Sequence, residues 1–348
     1  MIDLSIEETL ENAIAKGIDM LFKSQLRSGE FTSYMFNHDE AQSNCVVDPS
    51  VFPSSLIAYS LRFVVSDKSR KMQESVAKFL QAQMLSNGLW RYWTKEHPQH
   101  KVIPADVDDT VCASIILEQQ QIPHPANKSL LLANSDSRGV LYTWFAPRWY
   151  LKPDLALLKV VFKQALDPIK LYYFWKTTES GTTDLDSVVN ANALYYLGNS
   201  DETRLLCAPI IEYLNGVVLE GKEETSDKWH QSRFNLYYAI SRCAFHNIEP
   251  FDSIRQVILE RILERTDGDG IIGDNILETA LALCTMQNFG YEMPGLGRSI
   301  EAILESQKED GSWIRLPMYF GGPKKTVGWG SEELTTGFCL EALSRLST

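Results

Sequence analysis

The hydrophobic and polar positions repeat with helical periodicity in almost every long segment of the chain. The apolar–polar alternation that is typical of strands is nearly absent. The predicted helices fall into two kinds, one amphipathic and charged, the other almost uncharged after its first turn. A helix that is apolar on nearly all sides must be buried on nearly all sides. The second kind therefore predicts an inner layer, and the first kind an outer one.

The two kinds of helix alternate along the chain. The predicted outer helices are Ser5–Ser24, Lys68–Gln83, Leu155–Leu166, Asp201–Leu219, Phe251–Thr266 and Leu296–Gln307. The inner helices that follow them are Val51–Val65, Asp108–Leu117, Asp186–Leu197, Phe234–Phe245, Leu277–Phe289 and Leu334–Leu343. An open stack of helix pairs needs polar terminal caps, but the last helix is as apolar as the middle ones. We therefore predict an all-α (α/α)6 barrel in which residues 1–348 form a single domain, with an open HEAT-like stack as the alternative.

A short motif recurs after three of the outer helices: a Gln, a turn that contains Gly, and then an aromatic residue. The Gln can hydrogen-bond the backbone at the helix end, the Gly permits the turn, and the aromatic ring packs back onto the helix. Its repetition at matching places indicates a shared structural unit rather than catalytic groups. The copies are Gln25 with Gly29 and Phe31, Gln83 with Gly88 and Trp90, and Gln307 with Gly311 and Trp313.

Composition and charge narrow the functional classes. Of the 348 residues, 44% are hydrophobic and 22% are charged, as in an ordinary soluble globular protein. The net charge of −12 argues against nucleic acid and against an anionic membrane surface as electrostatic partners. The acidic start Met1–Glu11 does not resemble a signal peptide, and no apolar run approaches the length of a membrane span. We expect a cytoplasmic monomer or weak homo-oligomer, and leave transient membrane contact open.

Metal and nucleotide sites are not indicated by any motif. The six cysteines are scattered and mostly lie in apolar helices, which is typical of packed thiols in a reducing compartment. The chain has no Cys-x-x-Cys, no His-Glu-x-x-His and no glycine-rich phosphate loop. We therefore predict no cofactor and no metal.

The segment Asp106–Thr110 holds three carboxylates within four residues at the start of an inner helix. Pro104 lies just upstream, and acids are favourable in a first turn because they face its unpaired N–H groups. Helix capping does not need three acids, however. Carboxylates this close cannot all ionise cheaply, so at least one should hold its proton near neutral pH. Capping and acid catalysis both fit this segment when it is considered alone.

In the predicted barrel the inner helices all begin at one end, so the residues at their starts converge on one cavity. Convergent polar groups over an apolar bore are typical of a ligand site. The loops expected at this end, 89–93, 142–145 and 172–175, are rich in aromatic residues. The residues at the helix starts are Asp48, Phe52, Asp106, Asp108, Asp109, Asp184, Asp186, Asn190, Arg233, Phe234, Tyr237, Asp274, Asn275, Glu278, Glu332, Glu333 and Thr336.

The segment Asp106–Thr110 resembles the Asp-x-Asp-Asp-Thr motif of class II terpene cyclases, which include squalene–hopene and oxidosqualene cyclases and copalyl diphosphate synthases. The units 83–90 and 307–313 resemble the QW repeats of that family, and Asp186–Asn192 is similar to another of its stretches. Most members carry two barrels with the cavity between them. This chain has room for one barrel and so resembles the single-domain members. The resemblance implies cyclisation initiated by protonation.

The resemblance also implies residue roles. By the family pattern Asp108 is the general acid, and Asp106 and Asp109 crowd and orient it. Asn190, one turn after Asp186, is the expected polar helper; alternatively it is an inner-helix Asn that bonds neighbouring backbone. Aromatic faces stabilise carbocations. The candidate wall residues, each of which is alternatively ordinary core, are Phe52, Trp90, Trp93, Phe234, Tyr237, Trp313 and Trp329.

The function predicted from these features is protonation of the terminal alkene of a linear prenyl substrate, followed by cyclisation through carbocations. The substrate is expected to be a prenylated aromatic acid that gives a meroterpenoid. The alternative is farnesyl or geranylgeranyl diphosphate, giving drimane or labdane products. A diphosphate would need a basic cluster, for which the mouth offers Arg91, Arg233, Lys324 and Lys325. Asp108-Asp109 is not followed by the third acid of an Asp-Asp-x-x-Asp metal site, which disfavours metal-dependent ionisation.

Three rival functions share the same fold class. A protein prenyltransferase-like subunit would need a zinc site, and Cys243 and His246 share a helix but lack surrounding acids. A glycosidase would draw paired carboxylates from Asp108, Asp186 and Glu333. A binding protein with this fold would need no catalytic acid.

Overall fold

The computed structural model describes residues 4–37, 40–149, 152–164, 168–291 and 296–346. Six almost wholly buried helices form the inner layer, and every residue of the first and third of them is buried. They are α2 (Phe52–Leu61), α4 (Val107–Gln119), α8 (Ser187–Gly198), α11 (Arg233–Phe245), α13 (Ile276–Asn288) and α15 (Glu332–Ser344). The other helices are α1 (Leu4–Ser24), α3 (Asp67–Gln83), α5 (Lys128–Ala133), α6 (Leu155–Gln164), α7 (Pro168–Thr178), α9 (Asp201–Arg204), α10 (Ala208–Leu219), α12 (Asp252–Leu263) and α14 (Gly297–Glu305).

The inner helices form a closed ring. Each packs against the next one in chain order, and α15 packs against α2. The outer helix α1 contacts α3, α14 and α15, so the outer layer also joins the two ends of the chain. The all-α barrel is thereby confirmed, and the open HEAT-like stack is wrong. None of the described helices combines the length and apolar character that crossing a bilayer requires.

Two outer segments differ from the prediction. The segment Asp201–Leu219 is not one helix but α9, a short 3-10 helix at Leu205–Cys207, and α10. A proline in the first turn of α10 has no N–H to continue a helix from the preceding residues, so the chain breaks there. The predicted aromatic loop 172–175 lies within α7. The last two residues of the predicted helix Leu155–Leu166 lie outside the described residues.

Four short strands form an antiparallel sheet that the sequence pattern did not predict. They are β1 (Tyr34–Asn37), β2 (Cys45–Val47), β3 (Tyr319–Phe320) and β4 (Val327–Gly330), in the order β2-β1-β4-β3. Strands of two to four residues are too short to show alternation. Because Tyr319 pairs with Trp329 in the register of β3 and β4, the sheet holds these two rings together.

The repeated Gln motif acts as a structural staple. Gln25 Nε2 donates to the carbonyl oxygen of Gly29 at 3.0 Å, and Gln307 Nε2 donates to that of Gly311 at the same distance. Each of these two amides also reaches the backbone of a neighbouring outer helix. Gln83 instead accepts a hydrogen bond from the backbone N–H of Lys95 at 2.7 Å. Two copies therefore tie adjacent outer helices together, and the third ties its helix to the following loop.

The two motif tryptophans are anchored identically. The indole N–H of Trp90 donates to Leu80 O, and that of Trp313 donates to Ile303 O, each at 2.7 Å. The backbone N–H of Trp90 donates to Thr110 Oγ1 at 3.1 Å. Since Thr110 follows the three clustered acids, this staple fixes the start of α4.

Candidate active site

The three acids Asp106, Asp108 and Asp109, called here the acid motif, lie at the N-terminus of α4. Asp106 caps the helix, because its Oδ1 accepts the backbone N–H of Asp109 at 2.8 Å. The predicted helix start is confirmed. All three residues are nevertheless buried, with exposed fractions of 4%, 8% and 3%. Acidic side chains are rarely buried unless another role requires it. The burial of these three acids therefore indicates that the acid motif does more than cap the helix.

The protons of the acid motif are held by burial and by mutual repulsion. Burial raises the pKa of Asp106 to about 7, against a hydrogen bond from Asp109 that lowers it. Burial, together with the charges of Asp106 and Asp108, raises the pKa of Asp109 well above its usual value. This is the direction that the crowding of three carboxyls predicts, because it favours the protonated form of Asp109.

Asp108 is the member of the acid motif with external donors. Asn192 Nδ2 donates to Asp108 Oδ1 at 2.6 Å, and His230 Nε2 lies 3.2 Å from Asp108 Oδ2. Hydrogen bonds to a carboxylate stabilise its ionised form. These two side chains lie outside the acid motif and can stabilise the carboxylate that remains after Asp108 gives up a proton.

His230 is held against Asp108 by a turn that Asp227 organises. Asp227 Oδ1 accepts the backbone N–H groups of Trp229 and His230 at 2.8 and 2.7 Å. Burial lowers the pKa of His230, but the hydrogen bond to Asp108 and the charges of Asp227, Asp108 and Asp186 outweigh it and raise this pKa above its usual value. His230 Nδ1 has no hydrogen-bonding partner among the described residues.

The acid motif opens onto a cavity that encloses about 590 Å³ of empty space, counting the part that is open to solvent. Its walls come from the loops, α2, α7, α8 and the sheet, and they are mostly aromatic. Apart from the acid motif, the lining residues are Phe52, Tyr92, Trp93, Ile103, Thr143, Trp144, Phe174, Val189, Trp229, His230, Tyr319 and Trp329.

Solved structures with this architecture include terpene cyclases. Over 98% of this chain and 99% of the other, the structure is similar to the type II terpene cyclase MstE from Scytonema, with 14% identity and a TM-score of 0.67. A variant of MstE in complex with merosterolic acid A gives a TM-score of 0.68 at 13% identity, over 98% and 97% of the two chains. A protein from Actinoplanes gives 0.65 at 18% identity, over 97% and 100%. The chain shares its fold with these proteins. No protein-family model and no curated sequence matches it.

Three of the seven predicted wall residues line the cavity: Phe52, Trp93 and Trp329. Two of them are anchored from behind by one carboxylate. Asp48 accepts the indole N–H of Trp93 at 3.1 Å and that of Trp329 at 2.7 Å, and His97 Nε2 lies 3.2 Å from it. Burial raises the pKa of Asp48, although both indole donors oppose this. Asp48 fixes the two rings without itself lining the cavity.

The other four predicted wall residues do not line the cavity. Trp90 and Trp313 face the outer layer, where they form the staples. Tyr237 points toward Glu223, to whose carboxylate its hydroxyl donates at 2.7 Å, and Phe234 packs edge-on against Tyr237. Because α11 is buried on almost all sides, its sequence does not reveal which aromatic residue faces the bore.

Asn190 does not contact the acid motif. Its Nδ2 donates to the carbonyl oxygens of Leu141 and Asp186 at 3.0 and 2.9 Å, and its Oδ1 accepts the N–H of Leu141 at 2.9 Å. The prediction of Asn190 as a helper of the acid is corrected, since all its hydrogen bonds are to backbone. Asn192, two residues further along α8, is the asparagine that hydrogen-bonds the acid motif.

Three groups of site residues were not predicted from the sequence: Asn192, His230 and five of the aromatic residues that line the cavity. Three of those walls, Tyr92, Trp144 and Phe174, fall in the aromatic stretches that were expected at the mouth. The high density of aromatic residues in these stretches could have identified them as lining the cavity. His230 lies in the turn before α11, where a single histidine without a motif gives no signal.

The residues of the rival functions are placed elsewhere. Asp186 and Glu333 do not line the cavity, and Asp186 accepts the hydroxyl of Thr143 at 2.5 Å. His246 is bound to Tyr59 and Arg62, and burial with nearby arginines lowers its pKa to about 4. Within the described ranges, no group of three or more His, Cys, Asp or Glu side chains is arranged to hold a metal.

The raised pKa of Asp106 predicts how stability depends on pH. Between its ordinary value of 3.8 and the folded value of about 7, the unfolded chain releases this proton and the folded protein keeps it. The free energy of unfolding should therefore fall as pH rises through this window. Asn at position 106 caps equally well and does not titrate. We expect Asp106→Asn to gain on the order of a few kcal/mol over the wild type between about pH 4 and pH 8 in denaturant titrations. A difference that is constant with pH would contradict the assigned shift.

Proposed function

We propose that the protein is a class II terpene cyclase in which Asp108 protonates the terminal alkene of a linear prenyl substrate. The observation that carries this proposal is the position of Asp108. It lies on an aromatic-lined cavity, where Asn192 donates to its Oδ1 and His230 contacts its Oδ2. The fold shared with type II terpene cyclases supports the same reading.

The chemistry begins with transfer of the Asp108 proton to the terminal alkene carbon. The π electrons form the new C–H bond, which leaves a tertiary carbocation on the adjacent carbon and a carboxylate at Asp108. Asn192 and His230 stabilise that carboxylate. Neighbouring double bonds then attack the cation in series, and loss of a proton from the last cation ends the reaction. Product and substrate are therefore isomers.

The cavity walls supply what the cations need. A desolvated aromatic face contributes up to about 2 kcal/mol to a nearby cation. Trp329 and Tyr319 stack at 5.9 Å, and Phe174 and Trp229 stack at 6.0 Å, and all four rings line the cavity. The apolar faces of these rings also disfavour water, which would quench a carbocation.

A prenylated aromatic acid is the substrate class that these features favour. The outer part of the cavity is a box of Trp93, Trp144, Phe174 and Trp229, whose faces suit a flat aromatic head group. The indole N–H groups of Trp144 and Trp229 are buried and have no acceptor among the described residues, so they can serve a head-group oxygen. MstE is known in complex with geranylgeranyl dihydroxybenzoate, its substrate.

The diphosphate alternative is less well supported, because the four cations named for it are engaged elsewhere. Arg91 donates to His100 O at 3.0 Å, and Arg233 pairs with Glu224 at 2.7 Å. Lys324 pairs with Glu179, and the ammonium of Lys325 lies 5.4 Å from the ring centroid of Phe320.

The proposal is tested by incubating the purified protein with farnesyl and geranylgeranyl dihydroxybenzoate and with the two free diphosphates. Liquid chromatography with mass spectrometry should show a new product of unchanged mass from a dihydroxybenzoate. Release of diphosphate, hydrolysis, or no conversion of any of the four would contradict the proposed function. Conversion of a diphosphate alone to an isomeric product would overturn only the choice of head group.

We further propose that α6 and α7 contact the membrane from which a prenyl substrate is drawn. These helices expose Phe162, Ile169 and Tyr173 by 61–69%, whereas Phe174 of α7 lines the cavity. They also carry four lysines and no acidic residue in their described parts, in contrast to the net charge of −12. Lysines next to exposed apolar side chains favour an anionic lipid surface.

The double variant Phe162→Ser with Ile169→Ser should weaken binding to vesicles that contain phosphatidylserine by about tenfold or more, because two apolar anchors are lost. Sedimentation with these vesicles measures the effect. Leu205→Ser, which changes an 87% exposed leucine on another segment, is the matched control and should bind like the wild type. Wild-type protein that stays in the supernatant would contradict the proposal, as would equal losses in variant and control.

A further inference from the structure

A line of three buried side chains runs from the acid motif into the barrel. Asn192 Nδ2 donates to Asp108 Oδ1 at 2.6 Å, and Arg242 Nη2 donates to Asn192 Oδ1. Asn192 and Arg242 are each only 2% exposed, and neither lines the cavity. Arg242 thus touches the proposed acid through one amide and has no contact with substrate.

The chemistry of arginine decides which way this amide faces. A guanidinium has five N–H donors and no acceptor, whereas an Asn side chain has a donor end and an acceptor end. Only the oxygen of Asn192 can therefore face Arg242. If the amide were flipped, its NH2 would meet the guanidinium donors. Arg242 consequently presents the NH2 of Asn192 to Asp108, where it favours the carboxylate over the acid.

Arg242 is itself held rigidly. Its guanidinium lies 4.8, 5.4 and 5.2 Å from the ring centroids of Tyr59, Tyr195 and Tyr238. Among the described residues no carboxylate lies within ion-pair distance of it, and the buried Glu341 interacts with its charge only at longer range. Burying a charged group costs free energy when no close ion pair compensates it. This cost is offset if the positive charge of Arg242 stabilises, through Asn192, the carboxylate that forms at Asp108.

We propose that Arg242 is a positioning residue for the acid, acting through Asn192. This inference rests on the proposed function of Asp108. When Asp108 loses its proton, the polarised amide of Asn192 donates a stronger hydrogen bond to the new carboxylate. Arg242 therefore affects the rate of protonation and leaves substrate binding unchanged.

The sharpest variant is Asn192→Asp, which is nearly isosteric. Its carboxylate still accepts from Arg242 but offers no donor to Asp108. We expect kcat to fall by about ten- to a hundredfold with little change in KM, because a hydrogen bond to a charged group is lost. Thermal stability should be retained or raised, because Arg242 gains an ionic partner. Unchanged kcat in this folded variant would overturn the inference.

Arg242→Gln should lower kcat to a similar extent. Arg62→Gln is its matched control, because Arg62 also lies over Tyr59 and donates to Tyr195 at 3.2 Å but does not reach Asn192. The control should keep kcat within about twofold. The double variant Arg242→Gln with Asn192→Ala should lose no more than Asn192→Ala alone, since Arg242 acts through that amide. Additive losses, or equal losses in Arg62→Gln, would contradict the proposal.

A spectroscopic measurement separates this inference from the proposed function. The carboxyl stretching band of Asp108, identified as the band that Asp108→Asn removes, should shift in Arg242→Gln and stay in place in Arg62→Gln. If Arg242→Gln shows the predicted shift but the wild type cyclises no substrate, only the proposed function fails. If it cyclises a prenyl substrate but Arg242→Gln shifts neither band nor kcat, only the positioning role fails.

Discussion

Asp108→Asn is expected to lower kcat for cyclisation by about 10⁴-fold, the upper end of what general acids contribute. The expected loss is at this end because Asn192 and His230 contact Asp108, so its carboxylate is stabilised as it forms. The variant should fold normally, because Asn can still bond to both Asn192 and His230. Product formation by mass spectrometry and thermal melting followed by circular dichroism measure the two quantities.

Asp109→Asn is the matched control for this result. Asp109 is also buried and protonated, but its proton is engaged with Asp106, and an amide N–H can replace that donor. We expect a loss of about tenfold or less, as for one replaced hydrogen bond. If Asp109→Asn abolished turnover while Asp108→Asn kept it, Asp109 would be the proton donor.

His230→Leu should lower kcat by about 10²- to 10³-fold, comparable to removing one preorganised donor from a developing charge. The imidazole lies 3.2 Å from Asp108 Oδ2 and contacts the rings of Phe52 and Tyr319. Against the effect of burial, the hydrogen bond to Asp108 and the nearby carboxylates raise the pKa of His230 above its usual value. Loss of the ring removes a hydrogen bond and, when the ring is protonated, a positive charge from the carboxylate that forms.

His230→Gln separates these two contributions, because an amide donates a hydrogen bond without a positive charge. We expect Gln to recover part of the activity that Leu loses. In the wild type, kcat should fall as pH rises through the pKa of His230, and this fall should be absent in both variants. A wild-type rate that does not change across that pKa would show that the charge of His230 has no part in the reaction.

The inner helices were predictable because burial on all sides leaves a direct trace in the sequence. In α8 the twelve residues Ser187–Gly198 carry no charge, and all of them are buried. The acid motif could also be identified from the sequence, since three acids directly before an apolar run are more than helix capping requires. The strands left no such trace, because β3 has only two residues and its place depends on pairing with β4.

The contacts within the site were harder to predict than the fold. Asn190 and Asn192 are two residues apart on one helix, so they face different neighbours, and only the packing of α8 against α4 and α11 decides which one meets Asp108. Likewise Trp90 and Trp93 lie three residues apart in one loop, but one is a staple and the other a wall. Such choices depend on the three-dimensional arrangement of several segments.

The most direct test of the central claim is cyclisation in D2O. After exchange, Asp108 carries deuterium, so its transfer to the terminal alkene should leave one deuterium in the product. This deuterium should lie on the ring CH2 carbon bonded to the gem-dimethyl carbon, because that CH2 is the alkene carbon that receives the proton. Mass spectrometry and NMR should therefore find a product one mass unit heavier than that formed in H2O. A cyclised product of unchanged mass, or deuterium at another carbon only, would contradict proton transfer from Asp108.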